Sequence, residues 1–107
     1  MNSRSCALAR YLGERVDESS ELELLAPVGL NIVCFAYRAA DSDAVNARIV
    51  VDLHESGIVA PSTTTVGGRL AIRAAIVNHR TGPEDIDALI AATLAFGRAN
   101  ATKIQAA

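Results

Sequence analysis

The chain has 107 residues, which is long enough for one domain to bury a core and fold alone. Half of its residues are hydrophobic, and this excludes an intrinsically disordered chain. A net charge of −2 and a pI of about 5.6 argue against the basic surface that nucleic-acid binding requires.

The first third of the sequence predicts one helix followed by two strands. Apolar residues recur at helical spacing over residues 5–17, and ELELL (21–25) alternates like a strand. After the turn APVG, the segment LNIVCFAYR (30–38) is rich in β-branched and aromatic residues. We therefore expect segment 30–38 to be the main strand of this part of the chain.

The middle of the sequence predicts a second helix and an edge strand. Asp41 or Ser42 is a suitable N-cap for a helix over residues 43–56, and Gly57 fits its C′ position. Segment 58–66 has the composition of an extended chain, and its proline indicates an edge strand.

The last third predicts a hairpin strand and a third helix. Gly67 and Gly68 form a tight turn into a strand over residues 69–78. The sequence Thr81-Gly-Pro-Glu84 resembles a capping box, which predicts a helix over about 83–99 and a frayed tail after it.

The order helix, two strands, helix, two strands, helix defines an α+β fold. We expect a two-layer sandwich in which a four-stranded, mainly antiparallel sheet carries three helices on one face. Residues 1–107 then form a single domain.

The predicted strand over 69–78 has one apolar side and one mixed side. We assign the apolar side to the core: Leu70, Ile72, Ala74 and Ile76. The opposite side combines two arginines with small apolar residues.

The predicted strand over 30–38 is apolar on both sides, so its orientation is ambiguous. We assign one set to the helix side: Leu30, Ile32, Cys34 and Ala36. Three helices can cover only one side of the sheet, and an exposed apolar patch of this size is typical of an interface. The sequence therefore predicts a docking surface on the other side, unless a loop or the first helix covers Phe35 and Tyr37: Val33, Phe35, Tyr37, Arg69 and Arg73.

No constellation of residues predicts a catalytic or metal site. His54 and His79 lack partners at metal-ligand spacing, and the hydroxyls of residues 62–65 have no local base. The basic residues near the last strand could hold an anion or form salt bridges with whatever covers the sheet: Arg69, Arg73 and Arg80.

The remaining features point to a cytoplasmic chain. Cys6 and Cys34 are far apart and each lies in an apolar context, so we interpret both as small core residues. No signal peptide is visible, and no apolar run approaches the length of a membrane span.

Nearly the whole chain, about residues 5–98, resembles a known family. The segments that carry this resemblance are LAPVGLNIVCFAYR, RIVVDLHESG and APSTTTVGGRLAIRAAIVNHRTGPEDIDALI. They resemble the C-terminal region of group II pyridoxal-phosphate (PLP)-dependent amino-acid decarboxylases of fold type I, the aromatic-amino-acid decarboxylases among them. One departure is Ala36, where the family usually has arginine.

The resemblance implies that this chain is the small C-terminal domain of such an enzyme. In the family, a large domain binds PLP and supplies the Schiff-base lysine, the aspartate that pairs with the pyridine nitrogen, and the stacking histidine. That large domain is absent from this sequence, whose sole lysine is Lys103. We therefore expect no cofactor bound by this chain alone and no catalysis on its own.

Two kinds of function remain open. The chain is either a C-terminal domain or fragment of a PLP-dependent decarboxylase, or a stand-alone interaction module. Such a module would dimerise or pair with a separately encoded PLP-binding domain through the predicted docking surface.

Overall fold

The computed structural model describes residues 3–56, 61–76 and 80–106. Within them the chain forms three helices and four strands, in the predicted order. The elements are α1 (Ser3–Glu18), β1 (Leu22–Leu24), β2 (Ile32–Tyr37), α2 (Ser42–Ser56), β3 (Ser62–Val66), β4 (Arg69–Ala75) and α3 (Pro83–Ala106).

The four strands form one antiparallel sheet in the order β1-β2-β4-β3. β3 and β4 form a hairpin whose two turn residues, Gly67 and Gly68, have φ of 57° and 80°. Both φ angles lie in the left-handed region that two-residue hairpin turns need, which explains the glycine pair. β1 and β3 are the edges of the sheet.

All three helices pack on one side of this sheet and share one core with it. The helices contribute apolar residues at helical spacing, among them Leu12, Ile49 and Leu89, each at most 1% exposed. The predicted α+β sandwich with its helices on one face is confirmed.

The assignment of β2 to its two faces was wrong. Val33 lies opposite Ala74 and Phe35 opposite Ile72, and paired residues of antiparallel strands share a face. Val33, Phe35 and Tyr37 therefore point to the helices with the core residues of β4, and their exposed fractions are 0%, 0% and 7%.

A buried asparagine fixes the end of β2 to α2. The Tyr37 N–H donates to Asn46 Oδ1 at 2.8 Å, and Asn46 Nδ2 donates to the carbonyl oxygens of Tyr37 and Ser42. Asn46 thereby satisfies the backbone N–H and C=O of Tyr37 at the end of β2, past the last residue of β2 that pairs with β4.

Helix α3 begins at Pro83 as predicted, but its capping residues and its C-terminal end differ from the prediction. Gly82 and not Thr81 precedes the first helical residue, and Asp85 rather than Glu84 accepts a hydrogen bond from the Gly82 N–H, at 2.8 Å. The tail predicted to fray continues as helix to Ala106. The predicted roles of Gly57 and His79, and part of strands 58–66 and 69–78, lie outside the described residues.

Candidate docking surface

The side of the sheet that points away from the helices is called the open face here. Strand register assigns eleven residues to it: Glu23, Ile32, Cys34, Ala36, Ser62, Thr64, Val66, Arg69, Ala71, Arg73 and Ala75. Arg69 and Arg73 lie on this face, as the sequence predicted. Val33, Phe35 and Tyr37 do not.

One end of the open face carries an ion pair that bridges three strands. Arg69 Nη2 on β4 lies 2.5 Å from Glu23 Oε1 on β1, and Arg38 Nη1 lies 3.4 Å from Glu23 Oε2. The hydrogen bond from Arg69 holds the pKa of Glu23 below its usual range. This charge is therefore compensated within the domain.

The bridge explains the alanine at position 36. Ala36 lies opposite Glu23 on β1, and β2 runs between β1 and β4, so the Glu23–Arg69 pair crosses β2 there. Ala36 is fully buried although it belongs to the open face. A long side chain at this position would compete with the bridge for space.

The middle of the open face carries a second arginine, Arg73, which differs from Arg69 in its ion pairing. Arg73 is half-buried and lies between Cys34 on β2 and Ser62 on β3. Among the described residues it has no ion-pair partner. A guanidinium held in a sheet without a carboxylate is available to a group from outside the domain.

The other end of the open face is apolar. Ile32 is half-buried, its partner Ala75 is exposed, and Leu30, two residues before Ile32, is 67% exposed. Cys34 is half-buried with a free thiol, and so is Cys6 on α1, so the interpretation of both cysteines as core residues was wrong. Strand pairing was the signal that could have found these residues, because Phe35 opposite Ile72 requires Ile32 and Cys34 to face outwards.

The candidate residues outside the sheet that the structure describes, His54 and Arg80, form no second site. His54 is exposed and its Nε2 contacts the carbonyl oxygen of Pro61, while Arg80 is exposed just before α3. Across the described ranges, no three His, Cys, Asp or Glu side chains are grouped as metal ligands, and no helix is long and apolar enough to cross a membrane.

The residues present do not fit a covalently bound PLP. Covalent binding of PLP requires a lysine that forms a Schiff base with it. That lysine must sit in a packed pocket that orients it and favours its neutral form. Lys103 is instead exposed near the end of α3, at the side of an open groove between α2 and α3 that its neighbours Ala47 and Ile104 also line.

A four-stranded antiparallel sheet backed by three helices is the class of domain that these elements define. The same fold occurs in TDC from Oryza sativa, solved with PLP and tryptamine, at a TM-score of 0.84 and 20% identity. That match covers 92% of this chain and 22% of the rice protein.

Two further solved structures share the fold. Tryptophan decarboxylase from Catharanthus roseus, in complex with L-tryptophan, has a TM-score of 0.81 and 23% identity over 91% of this chain and 21% of its own. The glutamate decarboxylase domain of the diaminobutyrate-pyruvate transaminase and L-2,4-diaminobutyrate decarboxylase from Vibrio parahaemolyticus has a TM-score of 0.80 and 23% identity, over 89% and 21%.

These identities establish likeness of fold, and the chain spans about a fifth of each similar structure. The sequence matches no protein-family model and no curated protein.

Proposed function

We propose that this chain is the small C-terminal domain of a PLP-dependent amino-acid decarboxylase and that it is not catalytic alone. The observation that carries the proposal is that the structural match with rice TDC covers 92% of this chain but only 22% of the TDC chain. A domain of this fold is thus a minor part of enzymes named as decarboxylases. The sequence motifs of residues 25–38 and 60–90 support the same family.

The role of the domain in this proposal is to dock, through its open face, on a larger PLP-binding domain. Three helices pack on one side of the sheet, whereas the other side carries Ile32, Cys34, Arg73 and Ala75 at the surface. Interfaces between domains combine apolar area with polar groups that find partners on assembly. Arg73 then meets an acidic or anionic group when the open face is covered.

The chemistry of the proposed enzyme resides in that larger domain. Bound PLP supplies an electron sink for decarboxylation. The exposed Lys103 is unsuited to hold it, so this chain contributes the docking surface and Arg73 rather than the cofactor site.

The alternative is a stand-alone interaction module that dimerises or pairs with a separately encoded PLP-binding domain. The dimer first expected from the sequence would bury Val33, Phe35 and Tyr37, which the helices of the same chain already cover. A dimer through the open face would have to use Ile32, Cys34 and Arg73 instead.

A reconstitution experiment tests the docking proposal. The purified chain is mixed with the PLP-binding domain encoded in the same reading frame or next to it, and both complex formation and carbon dioxide release are measured. We expect decarboxylation only from the mixture, and no saturable PLP binding by this chain alone.

Two matched variants, each with an alanine replaced by glutamate, locate the docking surface. Ala75→Glu places a charge on the open face, whereas Ala44→Glu places the same charge on the exposed side of α2. We expect Ala75→Glu to weaken the complex and Ala44→Glu to leave it intact. Decarboxylation by the isolated chain, or equal effects of the two variants, would refute the proposal.

A further inference from the structure

The outer edge of strand β3 is a second uncovered surface, which its backbone presents in the plane of the sheet, although alternate side chains of β3 belong to the open face. Register places Thr63 opposite Ile72 and Thr65 opposite Leu70, so both threonines point to the helix side of the sheet. Both are nevertheless exposed, because the helix layer does not extend over this edge. Within the described part of the chain, β4 is the strand that pairs with β3.

The hairpin turn determines which backbone groups of β3 point outwards. A two-residue turn closes on a hydrogen-bonded pair, here Val66 and Arg69. Hydrogen-bonded and non-hydrogen-bonded pairs then alternate along an antiparallel ladder. Thr64 and Ser62 therefore bond to β4, and the N–H and C=O groups of Thr63 and Thr65 point away from the sheet.

Pro61 directly precedes β3, but the residues of the strand itself lack the features that usually protect a sheet edge. Edge strands are commonly short, charged, interrupted by proline or bulged. The other edge, β1, has only three residues; Glu23 within it and Glu21 just before it both form ion pairs. The five residues of β3 are uncharged and four of them are β-branched, a composition that favours strand pairing.

The sequence STTTV is also suited to pair with itself. In an antiparallel pair of two copies centred on Thr64, Thr63 of one copy lies opposite Thr65 of the other. Both positions have outward backbone groups, so the two-fold arrangement forms four hydrogen bonds. No like charges meet in it, because no residue of β3 is charged.

We infer that two copies of this chain associate through their β3 strands, in antiparallel register about Thr64, to form one continuous eight-stranded sheet. The two open faces then lie on the same side of that sheet and stay free. The inference does not depend on the decarboxylase proposal, since edge pairing uses the outward backbone groups of β3, whereas the docking proposal rests on side chains of β2 and β4.

Charge substitutions at Thr64 test the register. The mass of the full chain is measured by sedimentation equilibrium over a range of concentrations, and we expect a reversible dimer. Thr64→Lys brings two cations together at the two-fold axis, so its dimer Kd should rise about fivefold or more. Thr64→Glu should do the same, and an equimolar mixture of the two variants should associate again.

A backbone substitution tests the hydrogen bonds. Thr63→Pro removes an outward N–H from each copy but leaves the bonds of β3 to β4 in place, and prolines are tolerated on edge strands. Loss of two hydrogen bonds should raise the dimer Kd roughly thirtyfold. Circular dichroism of each variant verifies that the monomer stays folded.

Ala75→Glu on the open face is the matched control and should leave the dimer unchanged. A chain that remains monomeric at the highest concentration would overturn the inference. So would a dimer that Ala75→Glu disrupts and Thr64→Lys does not, because that dimer would use the open face.

Discussion

Gly97 determines how closely α3 approaches the sheet. A Cβ atom built on Gly97 would lie 2.3 Å from Cδ2 and 2.6 Å from Cε2 of Tyr37. The Tyr37 ring cannot easily give way, because it is 7% exposed and its hydroxyl donates to Glu21 at 2.9 Å. Helix α3 therefore packs directly on the Tyr37 ring at Gly97, its one glycine, where no Cβ atom separates the helix backbone from the ring.

We expect Gly97→Ala to lower the free energy of unfolding by about 1–3 kcal/mol, the usual cost of overpacking a core. At an exposed helix position the same replacement would instead raise the free energy of unfolding by about 1 kcal/mol. Ala95→Gly, at an exposed position of the same helix, is the control and should cost about 1 kcal/mol. Urea denaturation measures both variants, and a stabilised Gly97→Ala would show that the packing is not tight.

At the scale of elements, the start of α3 depends on Asp85 more than on Glu84. Asp85 accepts a hydrogen bond from the Gly82 N–H and lies in the first turn, where negative charge also complements the helix dipole. Glu84 shares only the dipole interaction. Asp85→Ala should therefore destabilise the domain by about 1–2 kcal/mol and Glu84→Ala by about 0.3–1 kcal/mol.

Thermal denaturation of the two variants side by side provides the measurement. Equal losses would mean that the reciprocal hydrogen bond adds nothing to the dipole interaction. A larger loss for Glu84→Ala would restore the capping box that the sequence alone predicted.

Two glutamates at the edge of the sheet, Glu21 just before β1 and Glu23 within it, should make the stability of the domain dependent on pH. Arg98 donates to both carboxylate oxygens of Glu21, at 2.9 and 2.6 Å, and these hydrogen bonds, with that from Tyr37, hold the pKa of Glu21 below its ordinary value. Arg69 lowers the pKa of Glu23 in the same way. A depressed folded-state pKa contributes stability above the unfolded value, near 4.3, and this contribution is lost as the pH falls through the folded pKa.

We therefore expect the urea midpoint to decrease as the pH is lowered from 7 into the acid range, and to decrease less for Glu21→Gln. Glu14→Gln is the control, because Glu14 is an exposed glutamate with no partner among the described residues. Parallel pH profiles for the original chain and Glu21→Gln would rule out this role for Glu21.

At the scale of the whole molecule, the sequence predicted the layers but not which way the central strand faces. Helical periodicity and the glycine turn are local signals, and both led to the observed elements. Segment 30–38 is apolar on both sides, so its period of two contains no information on orientation. Orientation comes from pairing with β4 and from Asn46, which are non-local.

Of the candidate surface, too, the sequence alone predicted some residues but not the contacts between them. Arg69 and Arg73 alternate with clear core residues, and their face could be assigned from β4 alone. The Glu23–Arg69 bridge joins residues 46 positions apart and crosses a strand, so no local pattern indicates it. Ala75 could be assigned to the same face from that alternation, whereas the exposure of Leu30 became recognisable only once the strands were paired.

Adjacent substitutions in β2 test the orientation of the whole sheet. Phe35 is fully buried among the helices, and an aspartate there would leave an unpaired charge in the core. The cost of such a burial is comparable with the total stability of a domain of this size, about 5–15 kcal/mol, so Phe35→Asp should not fold. Cys34→Asp should fold, because Cys34 is half-buried on the open face opposite Arg73, whose guanidinium can pair with the new carboxylate. Far-UV circular dichroism and thermal melting separate the two results. A folded Phe35→Asp and an unfolded Cys34→Asp would mean that the sheet presents its other side to the helices.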